Sequence, residues 1–278
     1  MQKSFVTKFV PALALASILS LTQSTVAQFA SSVVSYNSGV GFQAGYTDAS
    51  SALGEPSRVT PGFFGGPVDP FNSAYLSSQV VSIGAGGSLT LRFATPILNN
   101  PANAFGRDFN IFGNAGFVIT NEYDFNVYDW VGTPATDGSL YGADAVSTRV
   151  SVSSDGVNFY TLNPTLAPVV DSLFPTDGLG DFGLMVNPAL TAADFNGLDL
   201  AGIRSLYNGS GGGASYDISW AQDGLGQSVS LSSIEFVRVE VLAGNAEIDG
   251  LVAVPEPTTL SLALLGAGAL IVARRKRA

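Results

Sequence analysis

Ser88-Leu89-Thr90-Leu91-Arg92-Phe93 places an apolar side chain at every second position and a polar one between. Successive side chains of an extended chain point to opposite faces, so this spacing describes a strand with one buried and one wet face. A helix would bring its apolar residues round every three or four positions instead. Arg149-Val150-Ser151-Val152-Ser153 repeats the alternation, and Ser154-Asp155-Gly156 then supplies a turn before Phe159-Tyr160. Near the end, Val237, Val239 and Val241 face one way, and Arg238 and Glu240 the other. Such runs, punctuated by glycines and asparagines, predict an all-β body, a single β-sandwich of jelly-roll type over residues 28–253.

One helical patch is expected inside it. Thr191-Ala192-Ala193-Asp194 has the form of an N-cap with an acid in the first turn, leading towards Leu198 to Leu206, although Gly197 weakens the run. Gly209-Ser210-Gly211-Gly212-Gly213 reads as a mobile loop. It lacks the Gly-Lys-Ser/Thr ending of a phosphate loop, so nucleotide binding is not supported.

The chain has 278 residues and a formal charge of −10. The cations are unevenly placed: between Gln28 and Val254 there are six arginines, no lysine and 21 acids, a balance of −15. That field repels phosphate backbones and argues against a nucleic-acid partner. Cysteine and histidine are absent from the whole sequence. Disulfides, thiolate or imidazole metal sites and Ser/His or Cys/His catalytic pairs are therefore excluded. About 227 residues are still ample for one packed core without cross-links.

Both ends read as transport signals. Residues 1–27 have the form of a secretory signal peptide: Lys3 and Lys8, an apolar stretch from Val10 to Leu21, then small residues at Thr25-Val26-Ala27, with cleavage expected before Gln28. At the other end, residues 254–278 run from Pro255-Glu256-Pro257 through an apolar stretch, Leu260 to Ala273, to Arg274-Arg275-Lys276-Arg277. The stretch is short for a transmembrane helix, but Thr258, Thr259 and snorkelling arginines extend it. The basic cluster should stay cytoplasmic and leave the body outside.

The order Pro-Glu-Pro, short hydrophobic helix, arginine-rich tail resembles the PEP-CTERM sorting signal of Gram-negative bacteria. The resemblance implies an exosortase as processing partner, transient anchoring in the inner membrane, and delivery to the cell surface or extracellular matrix in organisms that make exopolysaccharide. A plain membrane anchor is the alternative.

A second resemblance covers most of the body. Tyr46-Thr47-Asp48 and Ala52-Leu53-Gly54-Glu55-Pro56 are followed by Gly86-Gly87-Ser88 into Leu89-Thr90-Leu91-Arg92-Phe93. Gly106-Arg107-Asp108-Phe109-Asn110-Ile111-Phe112-Gly113-Asn114, Tyr216-Asp217-Ile218 and Glu247-Ile248-Asp249-Gly250 complete the succession. It is similar to bacterial cell-surface proteins whose domain looks like the discoidin or galactose-binding jelly roll. Against that pattern Gly113 stands where an acid is expected, and residues 163–200 look like an insertion.

Oxygen ligands are abundant, and calcium takes six to eight of them without needing His or Cys. Asp48, Asp108, Asn114, Asp217 and Asp249 are the candidates, each beside an expected strand end. The resemblance would put one structural Ca²⁺ near Asp48 and Asp249; capping of turns is the competing use of such residues. Glycan binding needs exposed rings with nearby amides or acids, which points to Trp130, Tyr128, Tyr207 and Asn208. Core packing is the competing use of the rings. Catalysis could rest only on carboxylates and tyrosines. A glycan hydrolase would need a carboxylate pair such as Asp177 with Asp181 or Asp124 with Asp129. The expected function is a non-catalytic binding or structural module of the surface or matrix, in contact with exopolysaccharide or the envelope. The alternatives are a carboxylate-dependent glycan hydrolase and a purely structural surface component with no small ligand.

Overall fold

The computed structural model describes residues 27–255 apart from Phe64. Residues 1–26 of the expected signal peptide, and the tail from Glu256 including Pro257, Arg274, Arg275, Lys276 and Arg277, lie outside the described residues. Among the described residues no helix is long and apolar enough to cross a membrane.

The alternating runs become strands and carry the core. We number the nine sandwich strands β1 (Gln28–Asn37), β2 (Val81–Gly84), β3 (Ser88–Leu98), β4 (Phe109–Gly113), β5 (Ala145–Ser153), β6 (Tyr160–Leu162), β7 (Ala214–Tyr216), β8 (Ala221–Gln222) and β9 (Ser233–Ala253). All their ladders are antiparallel. One sheet has the order β1-β3-β9-β5-β6-β8. Its register sets Leu89 and Val150 on either side of Val239, and Leu91 and Val152 on either side of Val237. All six side chains are buried, so period 2 delivers whole rows to one face.

The outward face of this sheet holds the charged residues. Arg92 pairs with Glu235 at 2.8 Å and Arg149 with Glu240 at 2.9 Å, while the Arg238 guanidinium lies 3.7 Å from the centre of the Phe159 ring.

The 21-residue strand β9 belongs to both sheets. Its first half pairs with β3 and β5; after a bend marked by Gly244 (φ +83°), residues Asn245–Ile248 pair with β2 and Ile248–Ala253 with β4. The second sheet therefore runs β2-β9-β4-β7, with the first two residues of β1 beside the end of β9. A strand that turns a corner between sheets is a known way to close a sandwich. Between the layers lie Leu91, Phe93, Phe109, Ile111, Tyr216, Val237, Ile248 and Leu251.

Residues 163–213 supply few strands and instead help build a second, smaller core. Phe117, Val186, Phe195, Ile203 and Tyr207 are its buried members. The expected single helix is two pieces. A 3-10 turn, Ala192–Phe195, carries the capping box of Thr191 and Asp194. The helix α1, Leu200–Tyr207, then starts anew with Asp199 as its cap. The short bridge Leu198–Asp199 against Ala135–Thr136 intervenes. The glycine-rich run also departs from expectation. Ser210 to Gly213 are buried rather than mobile. Gly212 has φ +85°, and a Cβ there would collide with the Pro175 carbonyl, so glycine permits the segment to pack against residues 174–175.

Candidate functional site

The cleft against α1 is where rings and unspent polar groups meet. Its volume is about 700 Å³, and it is lined by Asp69, Phe71, Asn72, Ile119, Trp130 and Arg204, among others. A turn, a short ribbon and a helix deliver them.

Asp69 opens a tight turn in which its Oδ1 accepts from the Phe71 N–H at 2.8 Å and the Asn72 N–H at 3.1 Å. Burial pushes the Asp69 carboxyl up from its ordinary value, and those N–H donors and the Arg204 guanidinium pull against the rise.

Trp130 belongs to a two-stranded ribbon, Tyr123–Asp124 against Asp129–Trp130. Its indole meets the Tyr123 ring edge-to-face at 5.1 Å, and Tyr123 meets Phe125 in the same way at 5.0 Å. The ribbon tip leaves Phe125, Val127 and Tyr128 exposed.

The helix α1 supplies the third wall. The Asp199 Oδ1 accepts from the Gly202 N–H at 2.8 Å, a side-chain cap for an otherwise unpaired donor. Arg204 forks onto the buried Asp177 through Nε and Nη2, at 2.7 and 3.0 Å. That fork holds the guanidinium pKa above its ordinary value.

The sequence-derived glycan residues divide. Trp130 lines the cleft, and Tyr128 is exposed on the same ribbon. Tyr207 is corrected: its ring is buried in the second core and its hydroxyl donates to the Pro175 carbonyl at 2.8 Å, which leaves no face for a sugar. Asn208 is exposed in the left-handed conformation at the end of α1, where its N–H closes the helix onto the Arg204 carbonyl. Asp69, Phe71, Asp199 and Arg204 escaped sequence reasoning because they are far apart along the chain and follow no motif.

The five oxygen-bearing candidates do not converge. Asp48 is an exposed cap, accepting from the Ser50 N–H at 2.9 Å and the Ser50 hydroxyl at 2.6 Å. Asp249 is buried and accepts from the Ser57 N–H and hydroxyl at 2.8 and 2.9 Å; burial pushes its carboxyl up to about 7. Asp108 accepts from the Asn100 and Ile218 N–H groups and the Asn103 amide, and burial pushes it up to about 6. Asp217 lies close enough to add to that rise and caps the turn at Ser219. Asn114 precedes Ala115, whose N–H is bound by Asp171. Among the described residues, no group of three or more Asp and Glu side chains gathers that could hold a metal ion; calcium here would have to draw mainly on amide and backbone oxygens.

Asp171 fills the space that a side chain at Gly113 would occupy. Its Oδ1 accepts from the Ala115 N–H at 2.6 Å and its Oδ2 from the Glu247 N–H at 3.3 Å. Complete burial, aided by the Glu247 carboxylate, pushes Asp171 up to about 8 despite those donors.

The pairs considered for hydrolysis serve local structure. Asp177 is clamped by Arg204, and Asp181 accepts from the Gly183 N–H at 2.8 Å. Asp124 accepts from the backbone and side chain of Asn126, and Asp129 from the Trp130 N–H.

The chain begins and ends its described part at one place. Gln28 and Phe29 pair with Ala253 and Val252, and Ala27 and Pro255 both flank Gly183. Residues 253–277, which overlap this point and run beyond it, match the family model of the PEP-CTERM protein-sorting motif. No curated protein matches the chain. A motif of this kind implies export, membrane-anchored sorting and processing by an exosortase. The chain thus carries, behind its β-sandwich, the PEP-CTERM sorting motif of an exosortase-sorted surface protein.

Proposed function

We propose that the exported body is a non-catalytic module that holds polysaccharide of the surface or matrix in the Trp130 cleft. The observation that carries this reading is the placing of a half-buried indole and Phe71 with Asp69, Asn72, Asp199 and Arg204 around one opening. A ring stacks on the apolar face of a sugar while fixed carboxylates and amides take its hydroxyls. The cleft lies within the volume range usual for ligand sites.

The test is retention on the host's own polysaccharide. The exported protein should be retained and the Trp130→Ala variant released, with both melting at the same temperature. Equal retention of the two proteins would remove the cleft from the account. Failure of both to bind would favour a purely structural surface component.

One observation favours a second reading, glycan hydrolysis. Asp69 and Asp199 open on the same cleft, and the Asp69 carboxyl is raised by burial, as a general acid requires. Release of reducing ends that disappears in Asp69→Asn would establish hydrolysis in place of simple binding.

A further inference from the structure

We infer that the cleft selects polysaccharide bearing protonated amines, an amino-sugar polymer whose amines are free rather than acylated. This rests on the binding reading above and specifies its ligand.

Charge accounting at the site supports it. The cleft's cation makes its hydrogen bonds elsewhere: both Arg204 contacts go to the buried Asp177, and only its charge reaches Asp69. Its anions are half-spent. The Oδ1 atoms of Asp69 and Asp199 satisfy backbone donors, while no partner for either Oδ2 is found among the described residues. Two carboxylate oxygens therefore remain to accept from a ligand, beside an indole whose face also attracts cations.

The rest of the body offers polyanions little. Of its six arginines, Arg58, Arg92, Arg149 and Arg204 are in ion pairs. Arg107 lies over the Trp220 ring, and Arg238 over the Phe159 ring. The surrounding balance of −15 would repel a uronate polymer and draw a polycation inward.

The experiment uses protein purified from cells that export it and two sets of glucosamine oligosaccharides of equal length, one fully N-acetylated and one with free amines. The free-amine set should bind about tenfold tighter, the scale of one or two charge-assisted hydrogen bonds at a partly wet site. Raising the pH until the amines are neutral should close the gap. Asp69→Asn and Asp199→Asn each keep the Oδ1 that caps their turn, and each should cost about tenfold for the amine set and little for the acetylated one. Asp223→Asn changes the same charge in a turn outside the cleft and should alter neither affinity.

Equal affinity for the two sets, both lost in Trp130→Ala, would overturn the amine preference and leave the binding reading standing. An Asp223→Asn loss as large as that of Asp69→Asn would reduce the effect to the general field and overturn the site. No binding by either set would overturn the preference, and the host polysaccharide would then judge the reading beneath it.

Discussion

Leu91 and Tyr207 are both buried, yet they reach the interior by different routes. Leu91 stands opposite Val237 and Leu89 opposite Val239, so the ladder fixes both contacts at once. Tyr207 is surrounded by Phe174 and Phe195 at ring distances of 6.4 and 6.2 Å, each from a separate irregular segment. The sandwich is held by repetition, the second core by particular meetings. The cleft is built on the second kind of region, whose loops can change without disturbing the ladder.

The largest expected effect tests the ladder. Leu91→Ala should cost about 2–5 kcal/mol in chemical denaturation, because neighbours in a tight row cannot close the cavity. A loss below 1 kcal/mol would mean that the rows are not the main support.

Next comes pH. Asp108, Asp249 and Asp171 are pushed up to about 6, 7 and 8, in each case mainly by burial. Between about pH 4 and 8 the folded protein therefore binds more protons than the unfolded chain, so these groups make stability fall as pH rises. Asp155, pulled down by the N–H donors of its turn, acts only at more acid pH. Thermal unfolding should show the highest melting temperature in mild acid, with a loss towards pH 8–9 that Asp171→Asn reduces. A melting temperature that climbs over that interval would contradict the buried placement of these acids.

Smaller still is Tyr207→Phe, which leaves the Pro175 carbonyl without its donor and should cost about 1 kcal/mol. If the second core melts separately from the sandwich, this variant lowers only the transition of that core. Arg149→Ala marks the lower end. Its pair with Glu240 is close to half exposed on the arginine side, so less than about 1 kcal/mol should be lost.

The sandwich was legible where one face is wet, since alternation then survives in the sequence: β3, β5 and the first half of β9 all show it. The second half of β9 is harder to read. Residues Ala246 to Ala253 are buried without interruption, and the acids that alternate there, Glu247 and Asp249, lie inside rather than on a wet face. The C-terminal sorting motif was legible because its composition is its function. The cleft was only partly so. Trp130 could be picked out as an unusual ring, but Tyr207 has the same chemistry and is core, and only folding separates them. Asp69 and Asp199 look like ordinary turn and cap residues, which they also are. Their second oxygens acquire meaning once α1 and the Trp130 ribbon are brought together. Likewise, the packing of Asp171 against Gly113 joins distant parts of the chain, and no local pattern announces it.

Backbone hydrogen exchange with and without amino-sugar oligosaccharide tests this division of labour most directly. Added protection should be confined to the segments around residues 69–72, 119–134 and 199–204, while exchange in β3, β5 and β9 is unchanged by the ligand. Protection appearing on the arginine-bearing face of the sandwich, with none in those three segments, would contradict it.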